Sequence, residues 1–393
     1  MSFSTSDVVV SLAALIATGL LYAIFKPTST APVEVVKVPA GPASEAARKK
    51  YTFQEKDEAA VRGKLEAGAV KISQLMVFPI KSCRGIAVPE AKYTPVGLEY
   101  DRIWCMIDPI NHKIITARAY PQMFLINTAI VEDEDDPCGG RLEVSFPADS
   151  GCESFSVPLR PTAEMLDGWK RIEDLSVHSF TNIDGYITEP HSSLAGAGHD
   201  LCSKTLSQFL GRAVHLVCKG PRPRPSPPAW SNPAIHANVS YQDHWPLHVA
   251  SSESIDAAKF LIKEWCQQRD SEDSRDWDRG SVIGRYRPNI IFEGAGISFA
   301  EDFWKEIDVV TSAASETGSF TLTSKCTRCM LPNIDPITGA RSSALPSKPM
   351  KAFRIGLDPS NMGDSCFGCN AVPAGYGTLH VGDIVRVKEW GVV

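Results

Sequence analysis

The distribution of apolar and charged positions sets the first residues apart from the rest of the chain. Residues 8–25 form an apolar run of eighteen residues without a charge, which as a helix would span about 27 Å, most of a bilayer core. Asp7 is the only charged side chain before this run, whereas basic residues follow it. A cleaved signal peptide or a buried helix fits this pattern less well. We therefore expect a membrane anchor at residues 1–26, with the remainder of the chain facing the cytosol.

The next stretch is polar and small in character. Four prolines lie between residues 27 and 42, which favours a semi-extended tether. Residues 44–66 are charged and rich in alanine, which predicts a helix on the surface. Residues 27–69 are therefore interpreted as a linker and a surface helix.

From Val70 the pattern changes to short apolar runs separated by Gly, Pro, Asn and Asp, which is typical of β-strands. The predicted strands are KISQLMVFPI, RIWCMID, HKIITAR, FLINTAIV and RLEVSFP. The acidic run Glu132–Asp136 is predicted to form a solvated hairpin tip rather than a metal site. This spacing indicates a β-barrel or sandwich over residues 70–180.

Helical periodicity appears after residue 180. It predicts a helix at Asp200–Leu210, another that Ser252 caps, and a third apolar stripe formed by Phe299, Phe303, Trp304 and Ile307. The proline-rich residues 221–228 are predicted to be a crossing loop rather than a ligand for an SH3 domain, and residues 269–280 a charged insertion. Residues 377–387 predict two strands that close a second barrel. The class is mixed α+β and mostly β, with a second domain at residues 181–393.

Composition excludes several functions. The chain has 393 residues, a net charge of -6 and a pI near 5.9, which argues against a general nucleic-acid binder. Its eleven cysteines are odd in number and show no framework spacing, so we expect mostly reduced thiols.

Two C-x-x-C pairs are the first candidates for chemistry. Cys326 with Cys329 and Cys366 with Cys369 could supply four thiolates to zinc. A thioredoxin-like redox pair is less favoured, because a strand runs into a loop here. The third hypothesis is one soft thiolate ligand for molybdenum or another metal, with Arg328 lowering the thiol pKa and binding an anion.

Basic and polar residues at predicted strand ends form a second candidate set. Arg and Lys side chains suit a phosphate, whereas Asn, Ser and Asp suit the edge of a heterocycle. The candidates are Lys81, Ser82, Arg102, Asp243, His244, Arg287 and Asn289. Because the sequence has no Walker loop, no G-x-G-x-x-G before a helix and no C-x-x-C-H, electrons for redox chemistry should come from a partner.

Several motifs in collinear order resemble one family. FPIKSCRG, DRIW, ITAR, DHWP, YRPNIIFEG, KCTRCMLPNIDPITG and GDIVRV are similar to MOSC-domain proteins with an N-terminal MOSC β-barrel domain, particularly the mitochondrial amidoxime-reducing components. The likeness extends from about Val70 to the C-terminus. It implies two β-barrel domains, at residues 70–180 and 181–393, and an anchor in the mitochondrial outer membrane.

The resemblance also implies a cofactor and an activity. Cys329 corresponds to the molybdenum ligand, and the molybdopterin contacts correspond to Lys81, Ser82, Arg102, Asp243, His244, Arg287, Asn289, Thr327 and Arg328. The family reduces N-hydroxylated compounds with electrons from cytochrome b5 and its NADH-dependent reductase. We expect Asp243 to act also as a proton relay.

The sequence departs from the family pattern at His244 and Trp245, where smaller residues are expected, and at the second cysteine pair. Two alternatives therefore remain at this stage. One is a sulfur-transfer protein that carries a persulfide on Cys329. The other is a non-catalytic zinc-binding module.

Overall fold

The structure is a computed structural model that describes residues 55–192, 198–229, 231–268, 282–311 and 317–393. The expected anchor at residues 1–26, most of the linker and the charged insertion at residues 269–280 lie outside these ranges. In the described ranges, no helix combines the length and the apolar character that crossing a membrane requires.

Strands dominate the described residues. They are β1 (Lys71–Val77), β2 (Ile86–Val88), β3 (Glu90–Thr94), β4 (Gly97–Leu98), β5 (Trp104–Ile107), β6 (Asn127–Glu132), β7 (Gly140–Ser145), β8 (Phe155–Pro158), β9 (Arg171–Val177), β10 (Phe180–Ile187), β11 (His215–Lys219), β12 (Leu247–Ser251), β13 (Ile290–Glu293), β14 (Trp304–Val310), β15 (Thr317–Arg328), β16 (Ser365–Pro373), β17 (Gly377–His380) and β18 (Ile384–Trp390). The α-helices are α1 (Glu55–Glu66), α2 (Ala163–Gly168), α3 (Leu201–Leu210), α4 (Ser252–Gln267), α5 (Val282–Tyr286) and α6 (Ser347–Arg354).

Seven strands close into a barrel in the order β1-β13-β12-β16-β15-β14-β18, after which β18 returns to β1. The β12–β13 pair is parallel, with α4 and α5 in the connection, and the other pairs are antiparallel. Closure depends on hydrogen bonds from Ile72 N to Asp383 O and from Val385 N to Val70 O, both 2.9 Å. A closed barrel leaves no free sheet edge within the ring.

Shorter sheets surround this barrel. They pair as β5-β11-β10-β9, β6-β7-β8 and β17-β3-β4. The acidic run lies between the paired strands β6 and β7, so the predicted hairpin tip is confirmed. The fold is therefore mostly β with a few helices, as predicted. Strands from residues 70–180 pair with strands from beyond residue 180 in three of the four sheets.

One predicted helix is wrong. Phe299 has a left-handed backbone (φ 62°), a 3-10 turn covers Ala300–Phe303, and strand β14 begins at Trp304. A regular strand buries every second side chain. The pairing is irregular between Trp304 and Ile307, and these two buried side chains are therefore three positions apart. A bulged strand can therefore imitate helical spacing.

Three other predictions need smaller corrections. The segment HKIITAR forms only isolated bridges at Lys113 and Ile114 rather than a strand. Ser251, not Ser252, caps α4, since its side chain accepts from Ser254 N. Of the last two predicted strands, only β18 joins the barrel, because β17 pairs with β3.

A buried ion pair fastens α6 to the barrel. Arg354 Nη2 lies 2.8 Å from Asp302 Oδ2, and each side chain is 5% exposed. Arg354 Nε also donates to Cys366 O at 3.1 Å, which connects the helix to β16. Removing one member of such a pair leaves a buried charge without its partner.

We predict that Arg354→Met lowers the free energy of unfolding by about 3–5 kcal/mol, because the Asp302 carboxylate stays buried. Urea unfolding measures the loss. The control is Lys351→Met on the same helix, since Lys351 is 45% exposed and 3.5 Å from Asp364, and it should cost less than about 1 kcal/mol. Similar losses in both variants would contradict the assignment.

Candidate functional site

The ten residues predicted to form a site all line one pocket of about 330 Å³. Five segments of the chain contribute: the turn after β1, the turn before β5, the stretch before β12, the α5–β13 junction and the end of β15. They bring together Lys81, Ser82, Arg102, Asp243, His244, Arg287, Asn289, Thr327, Arg328 and Cys329. His178, His248 and Cys326 also line this pocket.

Four of the lining residues have left-handed backbones. The φ angles are 70° at Ser82, 52° at Arg102, 52° at His178 and 59° at Arg287. Arg287 precedes Pro288, which disfavours continuing the helix α5 through this position. Such conformations cost about 1–3 kcal/mol each and persist only where the surroundings enforce them. Each one turns the chain sharply at the pocket wall.

Two guanidinium groups lie against a single buried ring. Arg102 Cζ is 4.3 Å and Arg287 Cζ 4.2 Å from the centre of the fully buried Phe78 ring. A cation over an aromatic face is attracted by the ring quadrupole. A Cβ at Gly85 would lie 2.3 Å from the Phe78 ring. The glycine of FPIKSCRG therefore lets the chain pass beside this ring.

The two arginines differ in how their charges are balanced. Arg102 Nη1 donates to both oxygens of Asp101, at 2.8 and 2.6 Å. Arg287 Nη1 donates to Cys83 O at 2.6 Å, but its buried Nη2 has no hydrogen-bond partner. Burial and the neighbouring Arg102 charge lower the pKa of Arg287 to about 9. Arg287 is thus a buried cation with an unused donor in the pocket.

Asn289 holds the pocket wall together with all four of its side-chain hydrogen bonds. Its Oδ1 accepts from Arg102 Nη1 at 3.1 Å and from His248 N at 3.2 Å. Its Nδ2 donates to Met76 O at 3.1 Å and to Asp101 Oδ1 at 3.0 Å. The amide is therefore already committed within the protein, and Asn289 positions Arg102.

Lys81 and Asp243 form an ion pair across the pocket. Lys81 Nζ lies 2.6 Å from Asp243 Oδ1 and donates to Tyr241 O at 2.7 Å. His178 Nε2 lies 3.2 Å from the same Asp243 oxygen. Partial burial acts to raise the pKa of the Asp243 carboxyl, yet Lys81 and His178 hold it well below its usual range. Asp243 is therefore ionised at neutral pH.

The proline-rich segment supplies a brace for this part of the pocket. The side chain of Arg224 points inward and is 4% exposed as a residue. Its guanidinium donates to the carbonyl oxygens of Ser240, Gln242 and Asp243 at 3.0, 2.6 and 2.8 Å. The loop thus fixes the backbone that carries Asp243.

The end of β15 carries the two thiols of KCTRC. Arg328 Nη1 donates to Cys326 Sγ at 3.0 Å and Nη2 to Tyr286 O at 2.7 Å. Of the two thiols, Arg328 therefore hydrogen-bonds to Cys326. Leu331 N donates to Cys329 Sγ at 3.5 Å instead. Cys329 is half-buried and lines the pocket.

The four cysteines of the two C-x-x-C pairs do not converge into a zinc site. In the β15–β16 pair, Lys325 lies opposite Cys369 and Thr327 opposite Cys366. In the part of the chain that the structure describes, the only three-ligand group comprises Asp136, Cys138 and His191. The four-thiolate hypothesis is therefore wrong for this structure.

Comparison with known families agrees with this architecture. Residues 69–208 match the MOSC N-terminal beta barrel domain, and residues 236–386 match the MOSC domain. The chain is a MOSC-domain protein. The family expected from the sequence motifs is thereby confirmed.

Relatives of this MOSC-domain protein include the mitochondrial amidoxime-reducing component 1 of Mus musculus, 27% identical over 80% of this chain and 81% of the relative. The corresponding Homo sapiens protein is 26% identical over 80% of this chain and 82% of the relative. A molybdenum cofactor sulfurase of Danio rerio is 23% identical over 71% of this chain but only 30% of its own length.

Several residues at or beside the site of this MOSC-domain protein carry no signal in the sequence. His178 lies in the tight β9–β10 turn, where no motif marks it, and Arg224 lies in a stretch that its prolines classified as a loop. His248 lies in β12, where alternation predicts only burial. His178 and His248 line the pocket, and Arg224 holds the backbone beside it, only through contacts with residues distant in sequence.

His248 gives the MOSC-domain protein a specific dependence on pH. Its Nε2 donates to Phe367 O at 2.9 Å, and burial together with the Arg328 charge lowers its pKa to about 3. Below about pH 6.5 the unfolded chain binds a proton at this histidine that the folded chain does not bind. Stability contributed by the neutral ring is therefore lost as the pH falls.

We predict that His248→Gln flattens the decline in unfolding free energy between about pH 7 and pH 4, as measured by urea unfolding. His199→Gln is the control of opposite sign. Glu189 raises the pKa of the exposed His199, so this ring stabilises the fold at low pH and its loss should steepen the decline. If the pH dependence of the unfolding free energy stayed unchanged in His248→Gln, the ring would take up its proton equally in the folded and unfolded chains, which would contradict this prediction.

Proposed function

We propose that this chain is a membrane-anchored molybdenum-cofactor oxidoreductase that reduces N-hydroxylated compounds such as amidoximes and hydroxylamines. Support comes from its similarity to amidoxime-reducing components over 80% of its length. The observation that carries the proposal is the buried, unpartnered Nη2 of Arg287 in a pocket that also contains the Cys329 thiol.

The donors of the pocket suit an anionic cofactor. Five lysine and arginine side chains line it, against two carboxylates. Besides Arg287 Nη2, the buried Nε of Arg328 also has no hydrogen-bond partner. Molybdopterin carries a phosphate and a dithiolene, both negatively charged. Its anionic groups would balance the positive charge and accept hydrogen bonds from the unused donors.

Cys329 is the residue we assign as the metal ligand. A thiolate is a soft ligand that suits a redox-active metal. Its sulfur lies at the pocket and accepts a hydrogen bond from Leu331 N at 3.5 Å. When bound, the molybdenum cofactor supplies a metal that exchanges two electrons.

The remaining predicted residues have two proposed roles. We assign direct cofactor contacts to six of the lining residues, namely Lys81, Ser82, His244, Arg287, Thr327 and Arg328. Arg102 and Asn289 also line the pocket, but we assign them mainly as positioning residues. Asp101 and Asn289 occupy Arg102 Nη1, and the Asn289 amide makes all four of its hydrogen bonds within the protein.

Reduction of an N–OH group to N–H consumes two electrons and two protons and releases water. The protons must therefore reach the substrate through the protein or from solvent. Asp243 is ionised, contacts Lys81 and His178, and is 56% exposed as a side chain. We propose that it passes protons between solvent and the pocket.

The proposal also covers location and electron supply. We propose an anchor at residues 1–26, a linker and surface helix at residues 27–69, an N-terminal MOSC β-barrel domain at residues 70–180 and a MOSC domain at residues 181–393. The mitochondrial names of the relatives support a mitochondrial location. We propose that the anchor lies in the outer membrane and that the folded part faces the cytosol. Electrons would come from cytochrome b5 and its NADH-dependent reductase.

Sulfur transfer is the second candidate, because the chain is also similar to part of a molybdenum cofactor sulfurase. In that case Cys329 would carry a persulfide. The protein would then contain sulfur that cyanide releases, and it would need neither molybdenum nor pterin. Metal and pterin analysis of the purified chain therefore separates the two candidates.

We predict that Cys329→Ser abolishes N-hydroxy reduction while the fold stays intact, because a serine oxygen is a poor replacement for a soft thiolate. Cys326→Ser is the matched control. A serine there can still accept from Arg328, so most of the activity should remain at a cost of about 1–2 kcal/mol in stability. Activity with a model amidoxime, molybdenum content and thermal unfolding are measured for both variants. A fully active Cys329→Ser protein would refute the ligand assignment.

A further inference from the structure

The β6–β7 connection carries a second group of side chains with metal-binding chemistry. Four residues of the acidic run Glu132–Asp136 are exposed, whereas Asp136 turns inward and its side chain is 15% exposed. There it meets Cys138 and His191, which are 2% and 4% exposed. Their ligand atoms all lie within 4.8 Å of one another. None of the three lines the pocket around Cys329.

The backbone holds these three residues in place. Cys138 N donates to Asp136 Oδ1 at 2.7 Å, and Gly139 N donates to Asp136 O at 2.8 Å. A Cβ at Gly140 (φ 109°) would lie 2.0 Å from Val131 O, so this turn is as tight as glycine allows. His191 N donates to Ser156 O at 2.8 Å, which ties the segment after β10 to strand β8.

We propose that Asp136, Cys138 and His191 form a zinc site that fastens the β6–β7 loop to the segment after β10. A thiolate, an imidazole and a carboxylate are the three ligand types that zinc takes in proteins. Calcium and magnesium prefer oxygen ligands, and only Asp136 offers them here. Three protein ligands leave a fourth position for water.

The distances allow this coordination with a small adjustment. Bonds of 2.0–2.3 Å in a tetrahedron place neighbouring ligand atoms about 3.3–3.8 Å apart. His191 Nε2 and Asp136 Oδ2 are now 2.8 Å apart, so they would separate by roughly 0.5 Å. The Cys138 thiol donates to Met165 Sδ at 3.6 Å, and this proton would leave when the metal binds.

The ionisation of the group agrees with this chemistry. The backbone N–H of Cys138 lowers the pKa of Asp136, which keeps the carboxylate ready to bind. Burial, followed by the Asp136 charge, raises the pKa of the Cys138 thiol. A zinc ion bound at this position would stabilise the Cys138 thiolate. Because the thiol must lose its proton to bind the metal, zinc affinity should rise with pH.

The test uses the purified full-length protein with Zn²⁺ alone, and then with Co²⁺ as a spectroscopic probe. We expect the wild type to bind one equivalent of zinc more than Cys138→Ala, with a Co²⁺–thiolate charge-transfer band that this variant lacks. Cys152→Ala is the matched control, because this partly exposed cysteine belongs to no ligand group and should change neither result. The thiols of the two C-x-x-C pairs are present in all three proteins, so any zinc that they bind cancels in the comparison.

Asp136→Asn tests the site without disturbing the turn, since the amide oxygen can still accept from Cys138 N. We expect at least tenfold weaker zinc binding and a loss of the rise in melting temperature that zinc gives the wild type. Equal zinc content in the wild type and Cys138→Ala, or an unchanged response in Asp136→Asn, would overturn the proposal. Enzyme activity is not part of this test, so its result is independent of the proposed function.

Discussion

Uncompensated positive charge in one partly buried pocket is the constraint on which the surrounding structure depends. A buried cation is costly unless hydrogen bonds or an anion replace its water. The protein meets part of this need with backbone carbonyls, pairing Arg287 with Cys83, Arg328 with Tyr286 and Lys81 with Tyr241. Asp101 and Asp243 pair with Arg102 and Lys81, whereas Arg287 Nη2 and Arg328 Nε are buried without a hydrogen-bond partner. These unused donors make the pocket suitable for an anionic cofactor.

The barrel makes this arrangement possible because it joins distant parts of the chain. Strand β1 lies between β18 and β13, so the turn that follows β1 reaches the α5–β13 junction. Phe78 from that turn then lies against both Arg102 and Arg287. Neither arginine could be held this way by local structure alone. The pocket therefore exists only when the N-terminal and C-terminal strands have paired.

The sequence predicted which residues form the site better than it predicted the contacts that they make. It supplied the class, several of the strands and ten of the residues that line the pocket, because motifs and alternation are local signals. It did not show which thiol Arg328 contacts, since the direction of that side chain depends on α5 supplying Tyr286 O. It missed Arg224 because the surrounding prolines indicate only a loop. The helical stripe at Phe299–Ile307 failed because a bulge changed the spacing in β14.

Cofactor retention in an Arg287 variant tests the central claim most directly. Molybdenum and pterin are measured in full-length wild type, Arg287→Met and Arg341→Met, produced where the cofactor is made. Arg341 is the control, because its guanidinium also donates to a carbonyl, that of Ala117, but lies outside the pocket. The account predicts about one molybdenum and one pterin per chain in the wild type and in Arg341→Met, and a loss of most of both in a folded Arg287→Met. Equal retention in all three proteins, or a wild type without molybdenum and pterin, would contradict it.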